Sequence, residues 1–482
     1  MKVLFVTSEC YPFIKVGGLA DVAGSLPKAM SRLGVEVTIA MPYYKNIELS
    51  EKYISKVDGE MTFTFGDKEE HLNLYRTFYP GTHLPVLLFR NETYIKDEVY
   101  PKIHDKSLSQ FVFFSRAILK FLKTGELKYD LLHLNDWPTA IIAGLLKTEY
   151  RVQPVLSQLA TILTIHNLGP QGIAKLSILD SLEINRYSLK TLDWDAQDKN
   201  IDLLLQGIVN ADLINTVSPT YAKEIMTKEY GEGLDQVMKS REGRVFGVLN
   251  GIDYSVFNPQ TDSAIHFRYD VNNWDAGKAQ NKLFLQKKLH LKEDVKIPLI
   301  GMVTRLSNQK GIDLILEKMD EIVKKNIQVV ILGTGSESYE AKLSKFNDKY
   351  PDMVSMILKF DQSLSRQIFA GTDMFLVPSK FEPCGLTQLI AMKYGSMPIV
   401  RATGGLKDTV TKGKTGFVFE EYSSKSLLQS IADAVTVYKN TTKWRELVQE
   451  AMRQDFSWNN SAKEYLKLYQ KALKFKQEEN FI

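Results

Sequence analysis

A chain of 482 residues is too long for a single hydrophobic core and divides into two or three domains. With 44% apolar and 24% charged residues it has the composition of a soluble globular protein, which excludes general disorder. Lysine and arginine number 61 against 57 acidic residues, and a formal charge of +4 is too small for a nucleic-acid groove, so any basic patch must be local. The two cysteines, Cys10 and Cys384, lie far apart, do not support a secreted disulfide scaffold, and are read as reduced thiols. The first apolar run stops at Ser8-Glu9, too soon for a signal peptide, and no run approaches the roughly 20 residues that cross a bilayer. The expectation is a cytoplasmic protein with neither a membrane nor a nucleic acid as partner.

Residues 2–7 form an apolar run of the length of a buried parallel strand. Lys15-Val16-Gly17-Gly18 follows, and then a helix from Leu19 whose apolar positions, Leu19, Val22, Ala23, Leu26, Met30 and Leu33, recur at three- and four-residue spacing. Pro27 removes one backbone donor, which predicts a kink there or a helix that regularises only after it. Gly17 and Gly18 let a ligand approach the backbone, free N–H groups at the helix start favour an anion, and Lys15 adds a mobile positive charge. Taken alone, this stretch fits a phosphate loop and an ordinary strand-to-helix turn equally well.

Residues 35–41 read as a second strand, and the stretch from about 60 to 90 alternates like antiparallel strands. An amphipathic helix over 111–122, a strand over 131–134, a buried helix turn over 140–146 and a strand over 161–165 come next. From about 168 to 200 there is no clear period, which predicts a loop or lid. A strand over 213–217 leads to Ser218-Pro219, which caps and opens a helix.

Between 244 and 260 the chain passes from a strand over 245–249 through Asn250-Gly251 into a polar stretch, and the domain junction is placed there. A second series follows, with strands over 299–303, 329–332, 354–358, 374–377 and 398–400, and helices from about 311, from about 337, over 363–371 and over 386–394. Strands alternating with helices at this spacing predict a parallel, doubly wound sheet with right-handed crossovers. The expected division is 1–250, 251–458, and a final helix, 459–482, that packs back on the first domain through Tyr465, Leu468, Tyr469 and Ala472.

The second domain opens like the first, on a strand followed by Thr304-Arg305-Leu306-Ser307-Asn308-Gln309-Lys310-Gly311. Two cations in a strand-to-helix loop suit a diphosphate, although a solvated loop would look the same in isolation. Further on, Glu382 in Ser379-Lys380-Phe381-Glu382-Pro383-Cys384-Gly385-Leu386-Thr387-Gln388 falls just beyond a strand's carboxyl end, where doubly wound folds place their ligands. A carboxylate for sugar hydroxyls beside helix-start donors for phosphate is what a sugar nucleotide requires. Three other patterns carry less. Asp193-Trp194-Asp195 has the form of a metal-diphosphate motif but sits in the aperiodic stretch and is read as a solvated loop. Gly333-Thr334-Gly335 lacks the third glycine of a dinucleotide fingerprint and is read as a tight turn, and Gly413-Lys414-Thr415 is a chance echo of a phosphate loop. Of the tryptophans, Trp137 could stack on a sugar, whereas Trp444 and Trp458 are read as core.

Five motifs in order span nearly the whole chain: Lys15-Val16-Gly17-Gly18-Leu19-Ala20-Asp21-Val22, Thr164-Ile165-His166-Asn167, Asn250-Gly251-Ile252-Asp253, Arg305 to Gly311, and Glu382 to Gln388. Together they resemble bacterial glycogen synthase and plant starch synthase. The resemblance implies an α/β GT-B fold, two Rossmann-like doubly wound domains facing across a cleft. It implies transfer of glucose from ADP-glucose to the non-reducing 4-hydroxyl of an α-1,4-glucan, with retained anomeric configuration. It places Lys15, His166, Arg305, Lys310 and Glu382 in catalysis, and Gly17, Gly18, Asp21, Asp136, Asn167, Asn250, Cys384, Gly385, Leu386 and Thr387 in substrate binding. It implies no metal and no cofactor, because cations stabilise the leaving diphosphate, and it leaves oligomeric state open.

The chain departs from the family at four places: Asn135 and Pro138 replace two histidines, Leu205 stands where lysine is usual, and Arg366 where histidine is frequent. These changes bear on acceptor preference or efficiency, whereas the donor-side set is intact. A related GT-B enzyme with another nucleotide or acceptor, and a glucan-binding homologue that has lost catalysis, remain alternatives. A phosphorylase using pyridoxal phosphate would need a Schiff-base lysine motif that does not appear.

Overall fold

The computed structural model describes residues 1–49, 55–56, 61–102, 104–148, 150–182, 186–188 and 190–480. Two compact units make up the chain: unit 1 is Met1–Val248 with Trp458–Ile482, and unit 2 is Leu249–Ser457.

Unit 1 contains β1 (Lys2–Val6), β2 (Glu36–Pro42), β3 (Ser55–Lys56), β4 (Met61–Phe65), β5 (Lys68–Phe78), β6 (Pro85–Arg90), β7 (Leu131–Asn135), β8 (Ala160–Ile165), β9 (Ile173–Lys175), β10 (Asn200–Asp202), β11 (Leu213–Thr216) and β12 (Val245–Gly247). Its main sheet runs β12-β11-β8-β7-β1-β2-β6-β5-β3, with β4 on β5. From β12 to β6 every neighbouring pair is parallel. β5 turns antiparallel to β6 and carries β3 and β4 antiparallel in turn. The central strands are apolar runs because both faces are covered: Val3 to Val6 are fully buried, as is every residue of β8. Counted along the chain, the parallel strands are ordered 3-2-1-4-5-6-7, so the order reverses between β1 and β7, and the loops after these two strands open at that crevice.

The helix Gly18–Arg32 buries Leu19, Val22, Ala23, Leu26 and Met30 as the spacing predicts. It runs unbroken through Pro27 and does not wait for it; burial of the first two turns offsets the one hydrogen bond that proline removes. Leu33 is not on the packed face. It lies past the helix end, 37% exposed, where Gly34 at φ +82° reverses the chain and Val35 donates its N–H to the Met30 carbonyl at 3.2 Å.

Two helices are longer than their apolar patterns: His104–Thr124 begins on a polar turn, and Trp137–Lys147 begins at Asp136, its N-cap. The stretch from 168 to 200 is not one loop. β9 and β10 pair antiparallel, and short helices span Ile178–Leu182 and Lys190–Asp195, elements with too few residues to show a period. Positions 183–185 and 189 of that stretch, and 60 of the antiparallel one, lie outside the described residues.

The last helix, Trp458–Asn480, buries Tyr465, Leu468, Tyr469 and Ala472 in the core of unit 1. Two polar anchors fix it to the sheet. Asn215 of β11 donates to the Tyr465 hydroxyl at 3.0 Å, and the Tyr469 hydroxyl meets His133 Nδ1 of β7 at 2.8 Å.

Unit 2 is built on β13 (Leu299–Val303), β14 (Gln328–Leu332), β15 (Val354–Ile357), β16 (Met374–Val377), β17 (Met397–Arg401) and β18 (Phe417–Phe419). They form a wholly parallel sheet, β15-β14-β13-β16-β17-β18, which is again 3-2-1-4-5-6 along the chain, with the reversal between β13 and β16. At this reversal the loops after β13 and β16 touch. Gly311, at φ +70°, stands where a Cβ would collide with the Pro378 carbonyl.

The helix Trp274–Lys288 has no counterpart in the sequence reading, because much of what it buries is polar: Lys278, Asn281, Lys282 and Gln286. Lys278 Nζ donates to the Phe369, Ala370 and Tyr394 carbonyls, and Lys282 pairs with Asp373 at 2.6 Å. Trp444 and Trp458 are core residues, of unit 2 and unit 1 respectively.

Candidate active site

In unit 1 the first site residues lie in the loop between β1 and the helix Gly18–Arg32. The buried Glu9 carboxylate accepts the Val16 N–H at 2.5 Å and the Gly17 N–H at 2.9 Å through Oε2. Burial raises its pKa, and these two amides oppose the shift. Lys15 Nζ lies 2.7 Å from both oxygens of Asp21 in the first turn of the helix. The expectation of free amides and a mobile cation is therefore corrected: the chain's own carboxylates already hold Val16, Gly17 and Lys15. Backbone access survives one residue later, where a Cβ on Gly18 would meet nothing within 4 Å and Gly17 gives the helix no side-chain cap.

Across the crevice, at the end of β7, Asp136 has φ +55°, a strained value for a residue other than glycine. Its Oδ1 accepts the His166 N–H at 2.7 Å. Burial pushes its carboxyl up to about 7, against hydrogen bonds from the His166 and Asn167 amides, and the charge of Glu9 adds to the rise. His166, just past β8, has Nε2 3.0 Å from Asn135 Oδ1. Asn135 Nδ2 donates to the Val6 carbonyl at 2.9 Å, which fixes the amide's orientation. Asn135 Oδ1 is then the acceptor, His166 Nε2 carries the hydrogen, and Nδ1 keeps its lone pair. Desolvation pushes the ring's pKa down to about 3, so it is neutral at ordinary pH. Asn135, one of the departures from the family pattern, thus sets the tautomer of His166.

Pro138 is buried in the first turn of Trp137–Lys147, and Leu205 is buried in the helix Leu203–Asn210. Trp137 packs edge-on against Phe111 at 5.1 Å, and a Cβ on Gly172 would collide with its ring, so it is a packing residue rather than an open stacking surface.

In unit 2 Lys310 Nζ lies 2.6 Å from Glu382 Oε2, which also accepts from Ser379 Oγ at 2.8 Å. Backbone bonds lace the two loops. Lys380 donates its N–H to the Gln309 carbonyl at 2.8 Å, and Gly405 donates to the Glu382 carbonyl at 3.1 Å. Arg305 is exposed, with no ion pair among the described residues. The Asn250 backbone N–H faces the Cys384 sulfur, and burial pushes that thiol up to about 12, which keeps it protonated. Gly385 turns the chain at φ +70°, Gln388 Nε2 ties that turn through the Cys384 and Gly385 carbonyls, and Leu386 is the N-cap of the helix Thr387–Lys393. Arg366 pairs with the buried Asp262 at 3.3 Å.

Each unit thus gathers its own set. Lys15, Gly17, Gly18, Asp21, Asp136, His166 and Asn167 converge at the β1/β7 crevice, and Asn250, Arg305, Lys310, Glu382, Cys384, Gly385, Leu386 and Thr387 belong to unit 2. Glu9 was missed by the sequence reading, and Ser379 and Gln388 were quoted there without a role of their own. Their signal is a polar residue in or next to a motif, which sequence alone does not distinguish from any loop residue.

The weaker patterns resolve as structure. Asp193 pairs with Arg186 at 2.9 Å. Asp195 accepts from Asp202 N at 3.1 Å and Gln206 Nε2 at 2.7 Å, and burial pushes its carboxyl to about 6, so this stretch is a tied helical turn rather than a solvated loop. Gly333 and Gly335 press on the Thr304 and Leu306 carbonyls, and Gly413 closes a turn onto Gly416. No described helix is long and apolar enough to cross a membrane.

Residues 2–240 match the family model of the starch synthase catalytic domain, and residues 284–451 that of glycosyl transferases group 1. The glycogen synthase of Fervidobacterium nodosum is 46% identical over 98% of this chain and 99% of that protein. That of Thermotoga maritima is 44% identical over the same shares. The catalytic domain of starch synthase IV from Arabidopsis thaliana, solved bound to ADP and acarbose, superposes with a TM-score of 0.89 at 31% identity, over 98% of this chain and 99% of that one. With the same fold, and with relatives this similar along nearly its whole length, the chain belongs to the glycogen and starch synthase family of GT-B glucosyltransferases.

Proposed function

We propose that the chain transfers glucose from ADP-glucose to the non-reducing 4-hydroxyl of an α-1,4-glucan, with retention at the anomeric carbon. Glucosyl transfer in glycogen synthesis follows from the family. ADP and a glucan are supported as ligands by the ADP and acarbose on the Arabidopsis relative.

The observation that carries the reading is the Lys310–Glu382 pair, held at 2.6 Å where the loops after β13 and β16 meet. When donor binds, Lys310 exchanges its carboxylate for the diphosphate, and Glu382, still tied by Ser379, is released to accept hydrogen bonds from sugar hydroxyls. Arg305, with no ion pair among the described residues, adds a second cation. Negative charge grows on the departing ADP in the transition state, so these preorganised donors lower the barrier; removing one costs about 10² to 10³ in rate.

In unit 1, Gly17 and Gly18 offer backbone to the diphosphate, and Lys15, released from Asp21, acts near the phosphates or the reacting sugar. Asp136 and Asn167 hold sugar hydroxyls. Neutral His166 presents its Nδ1 lone pair to one of them, since Asn135 already uses Nε2–H. Asn250, Cys384, Gly385, Leu386 and Thr387 shape the donor loop of unit 2.

Incubation with ADP-glucose or UDP-glucose plus glycogen, following nucleotide release and glucan growth, tests the reading. Turnover with ADP-glucose is expected, and Lys310→Ala should lower it by about 10² to 10³ while glucan binding is kept. Glucan binding with no turnover from either donor would sink the enzyme reading, and faster turnover of UDP-glucose would replace the donor.

A further inference from the structure

We propose that a basic cavity in unit 1, outside the residues assigned to glucosyl transfer, binds a small phosphate-bearing anion. The cavity, of about 330 Å³, lies where the end of the helix Leu203–Asn210 meets the last turns of Trp458–Asn480. Four cations, Lys147, Arg151, Arg241 and Arg244, line it against two carboxylates, Asp212 and Glu479.

Both carboxylates are already taken by lysines: Lys147 lies 3.6 Å from Asp212 and is ion-paired to Glu479, which Lys476 also approaches at 3.9 Å. Among the described residues none of the three guanidiniums is within ion-pair distance of a carboxylate, although Asp212 and Glu479 act on Arg241 from farther off. Arg241 donates to the Ala211 carbonyl, and Arg244 Nη1 donates to the Asp212 carbonyl at 3.0 Å. Stabilising the end of a helix would account for these two bonds. It does not account for the rest, because a guanidinium has five N–H donors and Arg241 Nε is buried with no acceptor. The crowding is also costly. Desolvation and the neighbouring Arg244 charge hold the Arg241 guanidinium below its ordinary pKa, and burial lowers Lys476 beside Lys147. Unpaired donors and an excess of positive over negative charge around one cavity are both relieved by a single multivalent acceptor.

Phosphate fits that requirement better than a carboxylate, since it offers several oxygens and bidentate geometry to more than one guanidinium. The volume is at the small end of ligand sites, which selects pyrophosphate or a sugar phosphate over a larger ligand.

Calorimetric titration of the full-length protein with orthophosphate, pyrophosphate and glucose 1-phosphate tests the proposal. Pyrophosphate binding is expected in the wild type, weakened about tenfold by Arg151→Gln and further by adding Arg241→Gln, which is the loss of one and then two charge-assisted hydrogen bonds. Comparison of pyrophosphate with glucose 1-phosphate shows whether the natural ligand is an inorganic anion or an ester. Arg151 is exposed, so its variant decides the matter even if the double variant does not fold, and glucosyl transfer without added anion should be unchanged in it. The proposal fails if the wild type binds none of the three anions, or if the isotherms of wild type and Arg151→Gln coincide.

Discussion

Two backbone amides that a phosphate could take from the Lys15-to-Gly18 loop are occupied by Glu9, and this makes the loop's shape depend on one buried carboxylate. Glu9→Ala should lower kcat/KM by about tenfold or more, since a buried hydrogen bond to a charged group is worth about 1.5–3 kcal/mol, and Glu9→Gln should recover part of it. Steady-state kinetics together with amide exchange at Val16 and Gly17 distinguishes this from global unfolding; slow exchange at both amides in Glu9→Ala would contradict the role. His166 makes a separate prediction. Its pKa is held near 3, below the ordinary 6.5, so the stability it contributes is fully present above pH 6.5 and is lost as pH falls toward 3. Its ring resonances should report the neutral Nε2–H form from pH 8 down to pH 5, and a midpoint above 5 would contradict the buried Asn135 contact. Asp136 has the opposite sign. Its carboxyl near 7 favours the fold at low pH, and that contribution fades as pH rises from about 4 through 7. Lys15, Lys310 and Glu382 were legible because each sits in a motif at a strand end. Glu9 and the tautomer-setting Asn135 were not, because their partners arrive through turns or from other strands.

Among the elements, the last helix is tied to unit 1 by chemistry as well as by packing. His133 is fully buried and bonded on both ring nitrogens, to Tyr469 and to Thr164 Oγ1 at 2.7 Å. Tyr469→Phe leaves Nδ1 without its partner in a dry site, and should cost about 1–3 kcal/mol. Thermal unfolding should show it as a fall in Tm of about 2–4 °C per kcal/mol for a unit of this size. An unchanged Tm would mean that the helix is held by packing alone. The apolar face of this helix was legible from the spacing of Tyr465, Leu468, Tyr469 and Ala472. The helix Trp274–Lys288 was not, because periodicity reports burial only when the buried side chains are apolar, and here Lys278 and Lys282 are buried by bonding to carbonyls and to Asp373.

Over the whole molecule the chain leaves unit 1, completes unit 2 and then returns its last helix to the first core. Truncation after Ser457 removes Tyr465, Leu468, Tyr469 and Ala472 from the core of unit 1 and nothing from that of unit 2. Calorimetry and limited proteolysis of the truncated chain should then show unit 1 lost and a cooperative transition kept by unit 2. Survival of both transitions would show that the helix is dispensable. The sequence by itself determined the alternation of strands and helices, the family, and the motif residues at the strand ends, because these depend on apolar spacing and on local residue types. Only the tertiary structure decided that the parallel strands order as 3-2-1-4-5-6-7 in unit 1 and 3-2-1-4-5-6 in unit 2, which brings the loops after β1 and β7, and after β13 and β16, together. From that convergence comes the Lys310–Glu382 pair, and the crowded guanidiniums of the basic cavity meet where the helix Leu203–Asn210 reaches the last helix. Each is a contact between residues whose separation along the chain carries no trace of their meeting.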